Sequence, residues 1–129
     1  MNQRTRVSSG SPYEPEIGFS RAIVDGRHVH VSGTAPIPRQ GEPVALDAYG
    51  QAHRCLEIIL EALREAGAEP EHVVRTRTFL VDVDDWREIG RAHGEVFSAV
   101  RPASTMVVVA GLLDPAWKVE IEADALLPG

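Results

Sequence analysis

The sequence predicts one α+β domain, a mixed β-sheet with two helices packed on one face. Judged by period-two and helical placement of apolar residues, its elements run strand, strand, helix, strand, helix, strand, strand. Strand–helix–strand units connect by right-handed crossovers, which put both helices on the same side of the sheet. At 129 residues the chain is long enough for one hydrophobic core and too short for two.

Residues 1–16 read as a flexible N-terminal arm: Ser8-Ser9-Gly10-Ser11-Pro12 is turn chemistry, and Pro12 and Pro15 oppose regular structure. The domain proper occupies residues 17–129. Its first strand begins at Phe19-Ser20-Arg21-Ala22-Ile23-Val24, Asp25-Gly26 is a hairpin turn signal, and His28-Val29-His30-Val31-Ser32-Gly33 returns beside it. Pro36, Pro38, Gly41 and Pro43 then mark a loop. Asp47 is placed to cap a helix over 48–66, where Ala52, Cys55, Leu56, Ile59, Leu63 and Ala66 recur at three- and four-residue spacing. Gly67 supplies its stop, and Gln51, Arg54, Glu57, Glu61 and Arg64 lie largely off the apolar stripe.

The run from Val73 to Val83 is β-branched and alternating, a long strand. Asp84 or Asp85 caps a second helix through Trp86, Ile89, His93, Val96, Phe97 and Val100, and Arg101-Pro102 ends it. Thr105 to Ala110 is nearly all apolar, as expected of a strand covered on both faces. After a loop from Gly111 to Trp117, residues 118–127 alternate, with Val119, Ile121, Ala123 and Ala125 set against Glu120, Glu122 and Asp124. The second face of the sheet has no helix left to cover it. An apolar face of that extent predicts another subunit packed over it.

Composition narrows the partners. Hydrophobic residues at 43% and charged residues at 25% suit a globular protein, and a net charge of −6 gives a nucleic acid no electrostatic help. The single cysteine, Cys55, cannot form an intrachain disulfide and reads as a small buried hydrophobe. Met1 to Ser11 is polar, with no apolar leader, and no run approaches the ~18 residues that span a bilayer, so a cytoplasmic protein with no membrane partner is expected. There is no Gly-x-Gly-x-x-Gly or Walker pattern, and no nucleotide cofactor is expected. His28 and His30 share a strand face, yet no cysteine or third ligand stands near them in sequence, so no metal is expected.

Taken in order, Ile17-Gly18-Phe19-Ser20-Arg21-Ala22, Val31-Ser32-Gly33, the run from Val74 through Asp84-Asp85-Trp86, Pro102-Ala103 and Val119-Glu120-Ile121-Glu122-Ala123 resemble the RidA/YjgF family, also described as endoribonuclease L-PSP-like. The resemblance implies a chorismate-mutase-like α+β fold, assembled as a homotrimer around a central barrel, with small-molecule clefts between subunits. It implies hydrolysis of reactive imines or enamines to a ketoacid and ammonia, without metal or cofactor. In that family a glutamate of the last strand positions or activates water, and an arginine after Pro-Ala holds the substrate carboxylate. An aromatic near the first strand and the Ser-Gly turn complete the site.

Carried over by position, the resemblance makes Glu120 the glutamate and Ser32 and Gly33 the turn. Phe19 replaces the usual tyrosine, Arg21 a usual glutamine, and Met106 a frequent cysteine. His93 stands where a tyrosine of the second helix is usual. Ser104 occupies the arginine's place, and this departure decides most. A guanidinium fork makes two charged hydrogen bonds of roughly 1.5–3 kcal/mol each, which a hydroxyl does not replace. Amino-acid-derived imines therefore fit poorly unless Arg21, Arg6 or Arg101 supplies the cation.

Each candidate has a plainer reading. By spacing alone Glu120 is a solvent-facing residue of an alternating strand; the resemblance makes it a pocket acid that passes a proton from water to a leaving nitrogen. Glu122 points the same way as a solvated or interfacial partner. Ser104 either contacts a ligand or satisfies backbone at the strand start, and no Gly-x-Ser-x-Gly elbow makes it a nucleophile. Phe19 is core or pocket wall, Arg21 an exposed strand arginine or a replacement cation, and His93 a packed or a titrating histidine. Arg75 and Arg77 read as interface or surface ion pairs. The function expected is a hydrolase acting on C=N bonds of a small metabolite with non-standard specificity. The rivals are a trimer that binds a metabolite without turnover and, less favoured, a ribonuclease or translation inhibitor.

Overall fold

The computed structural model describes residues 4–129. Its strands are β1 (Thr5–Val7), β2 (Ala22–Asp25), β3 (His28–Thr34), β4 (Val73–Leu80), β5 (Ala103–Val108) and β6 (Val119–Leu126), with helices α1 (Ala48–Glu65) and α2 (Trp86–Phe97). They form one sheet in the order β1-β2-β3-β6-β4-β5, antiparallel throughout except for the parallel pair β4–β5 that α2 connects.

Alternation fixes the two faces. Along β6, Val119, Ile121, Ala123 and Ala125 are buried and pack with Cys55, Leu56, Ile59 and Leu63 of α1 and Ile89 and Phe97 of α2. Each fully buried Leu or Ile contributes roughly 1.5–3 kcal/mol of hydrophobic stabilisation. Asp47 caps α1 by accepting a hydrogen bond from the Gly50 amide at 2.7 Å, and Gly67 (φ 90°) turns the chain away after the helix. At α2, Asp85 sits at the cap position but makes no side-chain cap; Asp82 instead accepts from the Asp84 amide one turn earlier. Cys55 is fully buried, and that burial pushes its thiol far above the usual range, so it is an inert packing group.

Several expectations need correction. The segment read as a loose arm contains β1, paired with β2, and is tied down by buried Glu14. That carboxylate accepts hydrogen bonds from Ser8 Oγ at 2.9 Å and from the Ser9 amide and hydroxyl. Burial works to raise the Glu14 pKa, but those hydrogen bonds outweigh it and the net shift is downward. Residues 1–3 of the arm lie outside the described residues.

The strand expected to be covered on both faces, β5, is instead an edge strand, with Val107 and Val108 42% and 52% exposed. Its apolar run reflects a place beside parallel β4, not enclosure. The second sheet face is likewise not the apolar surface expected. It carries His28, His30, Arg75, Arg77, Glu122 and Asp124 beside Ile23, Phe79, Val107 and Leu126, and some of the charges pair: Arg77 to Glu122 (3.1 Å) and Asp124 (3.4 Å), and His30 Nδ1 to Asp124 (2.7 Å). An oligomer therefore does not follow from apolar bookkeeping. Arg77 is the ion-pair residue anticipated. His28 and His30 stack on one another, and no group of three metal-ligating side chains occurs among the described residues.

Gln51, expected off the stripe, is 1% exposed and performs a structural task. Its amide nitrogen donates to the Ala45 and Ala116 carbonyls, and its oxygen accepts from the Lys118 amide at 2.7 Å, which fixes the loop leading into β6. Replacing it leaves those buried groups unpaired. Gln51→Ala should destabilise the fold by on the order of 3 kcal/mol, read as a lower urea midpoint with an unchanged slope.

Candidate functional site

The last strand supplies three acids to the same face, and their surroundings separate them. Glu122 and Asp124 are held in the ion pairs described above. Glu120, opposite Phe79 of β4, has no hydrogen bond or ion pair among the described residues. It is half-buried, and desolvation pushes its pKa above the usual carboxylate range, with Arg21 opposing the shift and Glu122 adding to it.

A β-bulge in β3 makes room for it. Val31 pairs with Ala123 and Thr34 with Ile121, so Ser32 and Gly33 together oppose Glu122 alone. The bulge turns the Gly33 backbone toward the carboxylate: a Cβ on Gly33 would stand 3.4 Å from the Glu120 carboxyl carbon and from Oε1. The bulge is itself held. Ser32 Oγ donates to the Ser20 carbonyl at 2.7 Å, Thr34 Oγ1 to the Ser32 carbonyl, and Arg21 Nη2 to the Gly33 carbonyl at 2.5 Å.

Arg21 is not an exposed strand arginine: it is 5% exposed, with its guanidinium 5.6 Å from the Phe19 ring centroid. Burial lowers its pKa against the attraction of Glu14 and Glu120. Its other side forms part of the wall of a cavity of about 580 Å³ between residues 7–12 and α1, which Glu120 does not line. Phe19, Arg21, Ser32, Gly33 and Glu120 thus form one connected cluster.

The other expected site residues lie elsewhere. Thr76 and Thr78 of β4 are buried toward the helices, and the parallel register sets Ser104 beside Thr76 and Met106 beside Thr78. Ser104 and Met106 therefore project to the helix side, while Glu120 projects to the opposite side. Ser104 Oγ is 2.9 Å from Thr76 Oγ1, which is 2.8 Å from His93 Nε2. His93 packs on Phe97, and burial alone lowers its pKa. Met106 lines an apolar notch of about 260 Å³ with Leu80, Val83, Trp86 and Val108. No hydrogen bond joins Arg6 or Arg101 to Glu120 or Ser104 among the described residues. The chain carries these two groups of residues on opposite faces of its sheet.

Three contributing residues had no sequence signal of function. Thr76 and Gln51 look like ordinary strand and helix residues, and Glu14 sits in a segment read as loop. Pairing at fixed register is what gives them meaning.

The Glu120 environment has a thermodynamic consequence. A carboxyl whose pKa is raised by folding binds more protons folded than unfolded, so stability falls as pH rises from the ordinary carboxylate value to the raised one, and is level beyond it. Urea midpoints of wild type and Glu120→Gln should therefore diverge in that window, wild type losing ground as pH rises. A difference between them that is constant with pH would contradict the desolvated carboxylate.

Comparison with known proteins gives a consistent answer. The model of the family described as Endoribonuclease L-PSP matches residues 10–127. An uncharacterised protein of Streptomyces coelicolor is 39% identical over 120 residues, covering 93% of this chain and 90% of its own. The crystal structure of a YjgF/YER057c/UK114-family member from Mycobacterium tuberculosis superposes with a TM-score of 0.89 at 42% identity, covering 97% of this chain and 100% of that one. A human protein named 2-iminobutanoate/2-iminopropanoate deaminase is 29% identical over 123 residues, 94% of this chain and 89% of its own. The bulge beside an unpaired acid, the mixed sheet with its two helices and these matches together show that the chain belongs to the endoribonuclease L-PSP family, the group also called RidA/YjgF.

Proposed function

We propose that this protein hydrolyses the C=N bond of a small imine or enamine, in a cleft that a neighbouring copy of the chain completes. The observation that carries the reading is Glu120: the unpaired acid of its strand, half-buried, with a raised pKa, against a bare glycine backbone. A carboxylate of that kind takes a proton from water as the oxygen attacks the imine carbon. It gives that proton to the imine nitrogen, which completes the aminol; it then takes the aminol hydroxyl proton and passes it to the same nitrogen, which leaves as ammonia as the carbonyl forms. Raising the acid's pKa toward neutrality makes these transfers more nearly balanced.

The separation of the half-sites supports assembly. Glu120 and Ser104 face opposite sides of one sheet, so a single cleft containing both needs a second chain. A homotrimer with a central barrel, as the family resemblance implies, is the arrangement proposed. No helix of the described residues is long and apolar enough to cross a membrane; action in the cytoplasm on a diffusible metabolite is part of the proposal.

Ser104 favours a second reading. With a neutral hydroxyl where the family resemblance places arginine, the same assembly would hold a metabolite without turning it over. Ribonuclease action has less support, since the open face alternates in sign and the chain carries net charge −6.

Purified protein mixed with a freshly generated imine should release ammonia faster than buffer, with Glu120→Gln returning the rate to that of buffer. Rates equal to buffer across charged and uncharged imines would overturn hydrolysis in favour of binding. Light scattering should give three times the mass of one chain.

A further inference from the structure

Thr76 Oγ1 is fully buried, so water does not satisfy it, and it has two neighbours: His93 Nε2 at 2.8 Å and Ser104 Oγ at 2.9 Å. A hydroxyl has a single proton to donate. When His93 Nε2 carries hydrogen, it donates to Thr76; Thr76 then donates to Ser104, and the Ser104 proton is free to point outward. When the His93 proton sits on Nδ1, Thr76 donates to Nε2, Ser104 donates to Thr76, and the outward side of Ser104 offers only lone pairs. Passing from one to the other takes a proton off one ring nitrogen of His93 and puts one on the other by exchange with solvent, while the two hydroxyl hydrogens reorient and no heavy atom moves.

We propose that Ser104, Thr76 and His93 form a hydrogen-bonded relay that makes the β5 edge the contact for an uncharged polar group of the ligand, a carbonyl, amide or hydroxyl, in place of a carboxylate. The inference rests on the cleft reading above and names its substrate class. Ser104 is exposed at the start of an edge strand, so its outward side is open to a ligand. The buried end of the relay is His93, whose neighbours are Phe97 on its own helix, Thr76 on β4 and, through Thr76, Ser104 on β5. No charged side chain among the described residues shifts His93, so the relay is neutral near neutral pH. A neutral relay offers donor or acceptor on demand but no countercharge. A carboxylate bound there loses the charged fork, whereas an amide or ketone loses nothing. His93 and Thr76 are positioning residues in this scheme, and Ser104 is the group that touches ligand.

Two measurements test it, both on the assembled full-length protein. Nitrogen-15 NMR of the histidine side chains reads the relay without any ligand. Ser104→Ala and Thr76→Val should each change the His93 tautomer balance and titration midpoint, although Ser104 does not touch the ring. A His93 signal unmoved by Ser104→Ala overturns the relay. The second measurement uses the isosteric pair 2-oxobutanoate and 2-oxobutanamide, titrated into wild type and Ser104→Arg. Wild type should bind the amide about tenfold or more tightly than the acid, and Ser104→Arg should invert that order. Equal affinity of wild type for the two, no binding of the amide, or an order unchanged in Ser104→Arg overturns the specificity. Loss of ammonia release with the relay signals intact would count against hydrolysis alone.

Discussion

The rest of the molecule depends on the position of β6 at the centre of the sheet, with β3 on one side and β4 on the other. A central strand cannot trade its faces: one residue of slip would put three acids under α1 and four apolar side chains in the open. The register is held by Gln51 where the strand begins and by the β3 bulge opposite Glu122. Once it is held, the acids are fixed in a row on the open face, and the only freedom left is which of them finds a cation. Arg77 and His30 serve two. The third, Glu120, is left beside Gly33 without an ion pair among the described residues, and the proposed chemistry starts from that leftover carboxylate.

Arg21 is the subtler participant. It holds the Gly33 carbonyl and lies close enough to attract Glu120, yet its own burial weakens its cationic form. The bulge, the glycine and the acid are therefore coupled through one guanidinium. It moderates the acidity of Glu120 without forming the salt bridge that would silence it, since a close opposite charge holds a carboxyl well down in pKa.

Much of this was legible in the sequence because it rests on local periodicity. The Asp47 cap of α1, the Asp25-Gly26 hairpin and the alternation of residues 119–126 declare themselves at short range, whereas the cap expected of Asp84 or Asp85 at α2 is not made. What periodicity does not carry is pairing. Whether an apolar run such as Thr105–Ala110 lies at the centre or the edge depends on which strands flank it, and β5 proved to be an edge. The polar character of the open face was missed for the same reason: Arg75 and Arg77 align with acids only once β4 and β6 are brought into register. A family resemblance singles out Glu120, where spacing alone leaves it in solvent. Ser104 and His93 lie far apart in sequence, and their connection runs through Thr76, one of two buried threonines of β4.

The outer rim of β5 has a consequence of another kind. With β4 on one side only, the amides and carbonyls along its far side have no strand to bind, and Val107 and Val108 lie among them. Such a rim is a template for a further chain. Wherever a second copy pairs with it, a dilute preparation and a concentrated one become different thermodynamic systems, and thermal midpoints measured on them compare only when the amount of protein is held the same.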